Sequence, residues 1–182
     1  MFEDDDIAQV ERFRGGDNAA FAVLVHRYHR PLYNAAYRVL GNAEDASDVT
    51  QLVFLKVAER LDDYDSQHKF FSWIYRITIN ESLNLRRHNK YEVLLGDEVD
   101  GLLQTDDGPD WRYGIHEIGE RVQQGLMQLK IDDRIVLTLR HFSELSYREI
   151  AEILTLDEKT VKSRLFEARR RLGLLLKDLQ TH

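Results

Sequence analysis

The chain has 182 residues and a net charge of −7, with 43% hydrophobic and 31% charged residues, as is typical of a water-soluble globular protein of one or two small domains. Apolar runs are too short to cross a membrane, the acidic N-terminus lacks the order of a signal peptide, and the absence of cysteine excludes disulfides and thiolate metal sites. These features predict a protein of the reducing cytoplasm without membrane insertion.

Charge is distributed unevenly along the chain. Residues 1–20 form an acidic tail with six acids and two bases, and residues 92–111 carry seven acids and no base. The blocks at residues 21–91 and 126–182 each have a net charge of +2. Because contact with a nucleic acid depends on the local charge, the acidic total does not argue against DNA binding.

The N-terminal half has the pattern of a helical bundle. Three segments between residues 17 and 90 repeat apolar side chains at helical spacing, without the sustained alternation that is typical of strands. Pro31 falls within the first segment and is predicted to kink or divide it. Gly41 separates the first segment from the second. Residues 91–111, rich in glycine and acids, are predicted to form a flexible linker.

One stretch of this half, KFFSWIYRITIN at residues 69–80, places four aromatic rings beside Arg76 and Asn80. Opening a DNA duplex costs about a few kcal/mol for each unstacked step. A protein can offset that cost with aromatic faces that stack exposed bases and polar groups that bond their edges. Helical spacing favours the core for Trp73, Ile74 and Ile77, and the remaining aromatic and basic side chains suit single-stranded DNA.

Residues 112–180 return to helical periodicity and include the stretch LSYREIAEILTLDEKTVKSRLFEARRRL. Ser146 and Glu149 fit a capping box at the start of one helix, and Asp157 is a suitable N-cap for the next. The second helix has an apolar stripe made of Val161, Leu165, Ala168 and Leu172. Two short helices and a three-residue turn form the helix-turn-helix plan, whose second helix can enter a major groove. The turn residue Thr155 would be strained at positive φ because it is β-branched.

An amphipathic helical hairpin with a solvated basic face is the alternative interpretation of this stretch. The fourteen residues from Lys159 carry six bases and one acid, Glu167. The capped first helix, the short turn and the basic outer face together favour the helix-turn-helix. Glu167 on that face could accept a hydrogen bond from a cytosine amino group, or it could be solvated.

Three stretches in this order resemble the extracytoplasmic-function sigma factors, the smallest bacterial initiation subunits of the sigma-70 type: AEDASDVTQLVFLKV, FFSWIYRITINESLNLRR and, after the acidic segment, the helix-turn-helix stretch. The resemblance extends from about Asp17 to Leu176. It implies an all-α protein of two small helical domains joined by a flexible acidic linker. Sigma region 2 would occupy residues 1–90, the linker residues 91–111, and sigma region 4, with the C-terminal helix-turn-helix, residues 112–182.

The resemblance also implies three sets of contact residues. The core-binding set, which would contact core RNA polymerase through its β′ and β subunits, consists of Asp48, Gln51 and Leu52. Leu52 departs from the family pattern, which commonly has an acid after the glutamine. The −10 set, which would contact the −10 promoter element, consists of Phe70, Phe71, Arg76, Asn80, Arg86 and Arg87. The −35 set consists of Thr160, Lys162, Ser163, Arg164, Phe166, Arg169 and Arg170.

The implied function is that of a sigma factor that binds core RNA polymerase, recognises both promoter elements and promotes DNA opening, with an inhibitory partner that is often an anti-sigma factor. No cofactor, metal or catalytic residue is expected, because the acids at 3–6 lie in the tail and the seven histidines lack metal-ligand spacing. A free-standing helix-turn-helix transcriptional regulator is the alternative. Such a regulator would bind duplex DNA by itself and would not need the aromatic stretch at 69–80.

Overall fold

The computed structural model describes the backbone of residues 3–95 and 117–178, and the side chains of residues 5–89 and 119–177. Its helices are α1 (Glu3–Arg14), α2 (Asn18–Leu40), α3 (Ala43–Glu59), α4 (Phe70–Leu95), α5 (Glu117–Gln128), α6 (Ile131–Leu137), α7 (Tyr147–Leu154) and α8 (Glu158–Asp178), with a 3₁₀ turn at Leu61–Asp63 and a π-helix at Thr138–Phe142. No strand occurs within these ranges, and the all-α prediction is confirmed.

Helix α2 begins and ends at residues whose local chemistry suits a helix terminus. The side chain of Asp17 accepts a hydrogen bond from the Ala19 N–H at 2.9 Å, as an N-cap does. Gly41 ends the helix with φ of 80°, and its N–H donates to the Tyr37 carbonyl at 2.7 Å. A Cβ on Gly41 would lie 2.5 Å from Met127 Cε, so glycine also allows α5 to approach closely.

Pro31 lies inside α2, which runs without a break from Asn18 to Leu40, so the prediction that it divides the helix is wrong. A proline in a helix interior costs about 3 kcal/mol. Fully burying a leucine side chain contributes roughly 1.5–3 kcal/mol, and α2 buries Leu24 and Leu32 on either side of the proline. Packing of this face against α3 and α4 offsets the local penalty.

The N-terminal helices α1–α4 enclose one core, and its central side chains are fully buried. The largest of these are Leu24, Leu32, Phe70, Ile74 and Ile79. The acidic N-terminus does not form a separate tail, because α1 begins at Glu3. Asp6 is buried in α1, where it accepts hydrogen bonds from the Tyr28 hydroxyl and the Arg27 guanidinium. Its charge is compensated by these bonds, as a buried carboxylate requires.

The C-terminal helices α5–α8 pack against each other and also against the N-terminal helices. α5 and α6 contact α2, and α7 contacts α4. At this junction Arg134, only 2% exposed, donates from Nη1 to the Val39 carbonyl at the end of α2 at 2.6 Å. Nε and Nη2 donate to carbonyls at and just after the end of α5: Leu126 at 2.9 Å, Met127 at 2.8 Å and Leu129 at 3.2 Å. One arginine therefore caps two helix C-termini, one in each half.

The predicted linker at 91–111 lies mostly outside the described residues. Its first five positions, 91–95, are helical, because α4 continues to Leu95 and passes the predicted boundary at residue 90. Among the described residues, every helix is too short or too polar to span a bilayer.

Candidate nucleic-acid interface

The two helices of the helix-turn-helix are α7 and α8, and their caps are the ones that the sequence predicts. Ser146 Oγ accepts from the Glu149 N–H at 3.3 Å, while Glu149 Oε2 accepts from the Ser146 N–H at 2.8 Å, which completes the capping box. Asp157 accepts from the Thr160 N–H at 2.7 Å at the start of α8. Thr155 adopts the left-handed conformation with φ of 55° and ψ of 48°. The expected strain at this turn is therefore present.

The predicted stripe of α8 faces the core. Val161, Leu165 and Ala168 are buried, which leaves the −35 set on the other side of the helix. Phe166 is the most accessible large apolar side chain of this face, at 67% exposure. The other exposed members are Lys162, Ser163, Arg169 and Arg170.

The cations of the −35 set have partners at the protein surface. Arg170 pairs with Glu167 at 3.0 Å and Arg164 with Asp132 at 3.7 Å, while Lys162 lies 3.9 Å from Glu158 and 5.6 Å from the centre of the Tyr147 ring. Exposed ion pairs contribute only about 0–1 kcal/mol. These cations can therefore exchange their carboxylates for DNA phosphates at small cost. Glu167, the acid that follows Phe166 on this face, is engaged by Arg170.

Arg169 is held by a neutral histidine and by no carboxylate in the described residues. Its Nε donates to His141 Nε2 at 2.9 Å. Burial lowers the pKa of His141, and the nearby charges of Arg169 and Arg140 lower it further. The imidazole is therefore kept unprotonated, as an acceptor must be. Sequence reasoning missed this pair, since 28 residues separate its members.

The −10 set lies along α4, and its two phenylalanines differ in burial. Phe70 is 1% exposed and packs its ring against Tyr28, Tyr64 and Trp73 in the core. Phe71 is half-buried, with Lys69 Nζ 5.6 Å from the centre of its ring. Phe71 is thus the ring that a base can reach, while Phe70 in this arrangement can only position its neighbours. Arg76, Asn80, Arg86 and Arg87 are exposed.

Helix α7 lies against this part of α4. Arg76 Nη2 donates to the Glu152 carbonyl at 2.7 Å, and Lys69 Nζ donates to Glu149 Oε1 at 3.3 Å. Burial by itself raises the pKa of the Glu149 carboxyl, but hydrogen bonds from Ser146 and Lys69 outweigh it, so the pKa is lowered. The structure therefore brings Arg76 of the −10 set into direct contact with the helix-turn-helix.

Helix α3 presents the core-binding set on its outer face. Asp48, Gln51 and Leu52 are exposed, while Val49, Val53 and Phe54 are buried, as the sequence predicts. Gln51 Nε2 donates to Ser47 Oγ at 3.3 Å.

Sequence reasoning missed Leu55, which is 60% exposed and lies seven residues after Asp48 on the same helix face. The sequence signal for Leu55 was an apolar residue two helical turns after Asp48 on a face that is otherwise polar. With Leu52 it gives this face an apolar centre that no described residue covers.

Two family models match this chain. Sigma-70 region 2 matches residues 24–91, and sigma-70 region 4 matches residues 119–172. The ECF RNA polymerase sigma factor SigW of Bacillus subtilis (strain 168) is 33% identical over 180 residues, covering 94% of this chain and 96% of the relative. The RNA polymerase sigma-H factor of Pseudomonas aeruginosa is 34% identical over 188 residues, covering 98% and 97%.

Two solved structures have a similar fold. CnrH in complex with the cytosolic domain of CnrY has a TM-score of 0.73 at 27% identity, covering 95% of this chain and 97% of that one. The sigma factor RpoE of Bartonella quintana, in complex with the anti-sigma factor NepR, has a TM-score of 0.72 at 25% identity, covering 86% and 96%.

Proposed function

Because this chain belongs to the extracytoplasmic-function sigma factors of the sigma-70 family, we propose that α3 docks it on core RNA polymerase, α8 reads the −35 element, and α4 captures the opened −10 strand. The chain is a sigma factor, which binds core polymerase, recognises both promoter elements and promotes DNA opening. The observation that carries the residue assignments is the presence of two separate aromatic and basic surfaces, on α4 and α8, in one chain.

Core binding is assigned to the outer face of α3. An exposed apolar pair, Leu52 and Leu55, beside a carboxylate acceptor and an amide suits a protein interface, which needs a desolvated centre and a polar rim. Asp48 accepts hydrogen bonds and Gln51 both donates and accepts. Leu52 stands where the family pattern commonly has an acid, and it makes this docking face more apolar than that pattern.

Reading of the −35 element is assigned to α8. A major groove is about 12 Å wide and admits one helix, and Lys162, Ser163 and Phe166 lie on the exposed face that would enter it. A good pair between a base edge and an arginine or lysine discriminates by about 1–3 kcal/mol. We assign phosphate contacts to Arg164, Arg169 and Arg170. Thr160 keeps the hydrogen bond from its hydroxyl to Asp157 at the start of α8.

Capture of the −10 strand is assigned to α4. Stacking on an aromatic side chain contributes about 1–3 kcal/mol for each base, and Phe71 supplies the accessible ring. Asn80 would bond the edge of a flipped base, and Arg76, Arg86 and Arg87 would bind phosphates. No covalent step takes part in this mechanism, so the cost of melting is met by binding alone.

The domain boundaries of 1–90, 91–111 and 112–182 remain part of the proposal. The family matches at 24–91 and 119–172 support two units with a connecting segment between them. Seven acids without a base at 92–111 would be repelled by DNA, so this segment suits a position away from the promoter.

We assign an anti-sigma factor as the inhibitory partner, since the similar structures of CnrH and RpoE are complexes with such proteins or with a cytosolic domain. The place of action is the cytoplasm, where core polymerase is found.

Run-off transcription tests whether the chain directs core polymerase to promoters. Core polymerase with this chain should start transcripts from a subset of genomic fragments, and core polymerase alone should not. The chain alone should show no specific binding to those fragments at about 150 mM salt, where non-specific attraction to phosphates is weak. Tight, specific binding to duplex DNA without polymerase would instead identify a free-standing helix-turn-helix regulator.

A further inference from the structure

We propose that His141 is a positioning residue for promoter binding, which holds Arg169 by its Nε group and leaves the terminal amino groups of this arginine for a phosphate beside the −35 element. The inference rests on the proposed function, in which Arg169 contacts a DNA phosphate. His141 belongs to none of the three sets of contact residues and lies on a different helical segment. Arg169 lies on the exposed face of α8, about one helical turn after Phe166.

The bond between the two side chains uses one donor of the guanidinium. Arg169 Nε donates to His141 Nε2 at 2.9 Å. The other N–H groups of an arginine are all on its two terminal amino groups. A phosphate is bound most strongly by two parallel N–H groups of such a fork. A bond through Nε therefore holds Arg169 and still leaves a complete fork for the phosphate.

The next residue, Arg170, is held in a different way. Its Nε and Nη2 both donate to Glu167 Oε2, at 3.3 Å and 3.0 Å. A phosphate must displace this carboxylate before it can use the same side of the guanidinium. His141 brings no negative charge, so Arg169 can bind a phosphate without first releasing an anion.

The helical segment before α8 supplies partners to several of its arginines. Two acids of α6 pair with arginines of α8: Asp132 with Arg164 at 3.7 Å, and Asp133 with Arg171. The π-helix at Thr138–Phe142 continues directly from α6, and there the partner of Arg169 is a histidine. An imidazole at this place, instead of a third acid, leaves the charge of Arg169 uncompensated by any described residue.

The backbone around His141 is suited to hold the imidazole in place. The Ser143 N–H donates to the Thr138 carbonyl at 3.1 Å, which is the long-range bond of a π-helix. Thr138 and Leu139 are fully buried, whereas His141 is exposed. The segment is therefore fixed from its buried side and presents the imidazole at the surface next to α8.

The acceptor on His141 stays available to Arg169. The neighbouring cation, Arg140, donates to the Leu145 carbonyl at 2.8 Å and lies over the Tyr147 ring. Burial, together with the charges of Arg169 and Arg140, lowers the pKa of His141, so Nε2 keeps its lone pair at neutral pH. The bond is therefore in place before DNA arrives.

Holding Arg169 in advance reduces the entropy that is lost on DNA binding. A long side chain that is free to change rotamer loses this freedom when a phosphate fixes it. The bond to His141 removes part of that freedom already in the free chain, which is the general benefit of preorganisation. His141 thus strengthens promoter binding without contacting DNA.

Two substitutions of His141 separate the role of the acceptor from that of the ring. His141→Gln removes the ring but keeps an oxygen acceptor at about the reach of Nε2, and His141→Phe keeps a ring without an acceptor. At about pH 8 all three side chains are neutral, so the net charge stays the same. Fluorescence anisotropy measures the affinity of each complex with core polymerase for a promoter fragment found by run-off transcription.

His141→Phe should bind the promoter about three- to tenfold more weakly than the wild type, as expected when one more side chain must be immobilised on binding. His141→Gln should bind as the wild type does. The control, His26→Ala, removes an exposed imidazole of α2 outside the three contact sets and should leave the affinity unchanged. Melting temperatures verify that the variants fold. An equal loss in His141→Gln and His141→Phe, or no loss in His141→Phe, would overturn the inference.

Arg169→Ala separates failure of this inference from failure of the assigned phosphate contact. It should weaken promoter binding and reduce the slope of log affinity against log salt concentration by about 0.9. In a double-mutant cycle, His141→Phe should cause no further loss once Arg169 is alanine. A loss that persists in that background would mean that His141 contacts DNA itself, and the inference would be wrong. If Arg169→Ala changes neither affinity nor slope, its phosphate contact and the inference both fail, while run-off transcription still decides the sigma function independently.

Discussion

Arg134 should be among the most sensitive positions for the stability of this protein. It is almost fully buried, and its guanidinium bonds the ends of α2 and α5 through four carbonyls. Replacing it with methionine keeps an apolar stem of similar length and removes every donor. The carbonyls at the two helix ends would then be buried without partners.

The size of the loss follows from two opposing contributions. Three of the four bonds, at 2.6–2.9 Å, have good length, and hydrogen bonds from a charged donor contribute roughly 1.5–3 kcal/mol each. Against this, burial, and to a lesser extent the charge of Arg86, lowers the pKa of Arg134 from 12.5 to about 10. A tenfold change in proton affinity corresponds to about 1.4 kcal/mol, so removing the buried charge recovers roughly 3 kcal/mol.

The net expectation for Arg134→Met is a loss of about 3 kcal/mol in the free energy of unfolding. For a chain of this size, each kcal/mol lowers the melting temperature by about 2–4 °C, so the decrease should be roughly 6–12 °C. Arg134→Lys should lose about half as much, because a single ammonium group cannot span two helix ends. Thermal unfolding followed by circular dichroism measures both.

Arg148→Met is the control, since the Arg148 side chain is 81% exposed and pairs only weakly with Glu152. It should change the melting temperature by less than about 2 °C. A decrease of that small size in Arg134→Met would refute the capping role of Arg134. An equal loss in Arg134→Lys and Arg134→Met would show that the charge alone contributes nothing and that the stability depends on the fork-shaped geometry.

Three further predictions concern other parts of the chain. Leu55→Asp should weaken binding to core polymerase at least tenfold, which corresponds to about 1.4 kcal/mol of binding free energy. The melting temperature should not change. Fluorescence titration measures the affinity, and thermal unfolding measures the melting temperature. In His141→Gln the melting temperature should fall less between about pH 7 and 5 than it does in the wild type. The reason is that the lowered pKa of His141 makes the unfolded chain take up the proton first. Thr155→Gly should stabilise the chain by roughly 0.5 kcal/mol in chemical denaturation, since glycine tolerates the left-handed conformation but loses more chain entropy.

Each of these predictions has an outcome that contradicts it. Unchanged polymerase affinity in Leu55→Asp would move the docking face away from this side of α3. The stability that His141 contributes is fully present above the unfolded pKa near 6.5 and is lost as pH falls through the lower folded pKa. A larger loss of stability at acid pH in His141→Gln than in the wild type would therefore contradict the prediction. A destabilised Thr155→Gly would show that the threonine side chain matters more than the backbone strain.

Local features of this fold could be predicted well. The capping box of Ser146 and Glu149 and the N-cap of Asp157 depend on bonds that span three residues, so the sequence carries all the information that they need. The buried stripe of α8 was predicted for the same reason, because helical spacing alone places Val161, Leu165 and Ala168 on one face.

Neighbouring residues with the same chemistry could not be told apart. Phe70 and Phe71 are adjacent aromatic residues, yet the first is in the core and the second faces the −10 surface. Their difference depends on which way the start of α4 meets α1 and α2. The continuity of α2 through Pro31 likewise depends on packing that the local penalty of proline does not include.

The sequence by itself determined the helical class and the caps, since these depend on periodicity, side-chain type and short-range bonds. The three sets of contact residues are implied by the family resemblance and stay predictions. Only the tertiary structure decided that Arg134 bonds Val39, 95 residues away, and that Arg76 bonds Glu152, 76 residues away. Such contacts depend on the path of the whole chain and on how two amphipathic halves fit together. The contact of α7 with α4 is therefore a property of the fold, although every residue that takes part in it was visible in the sequence.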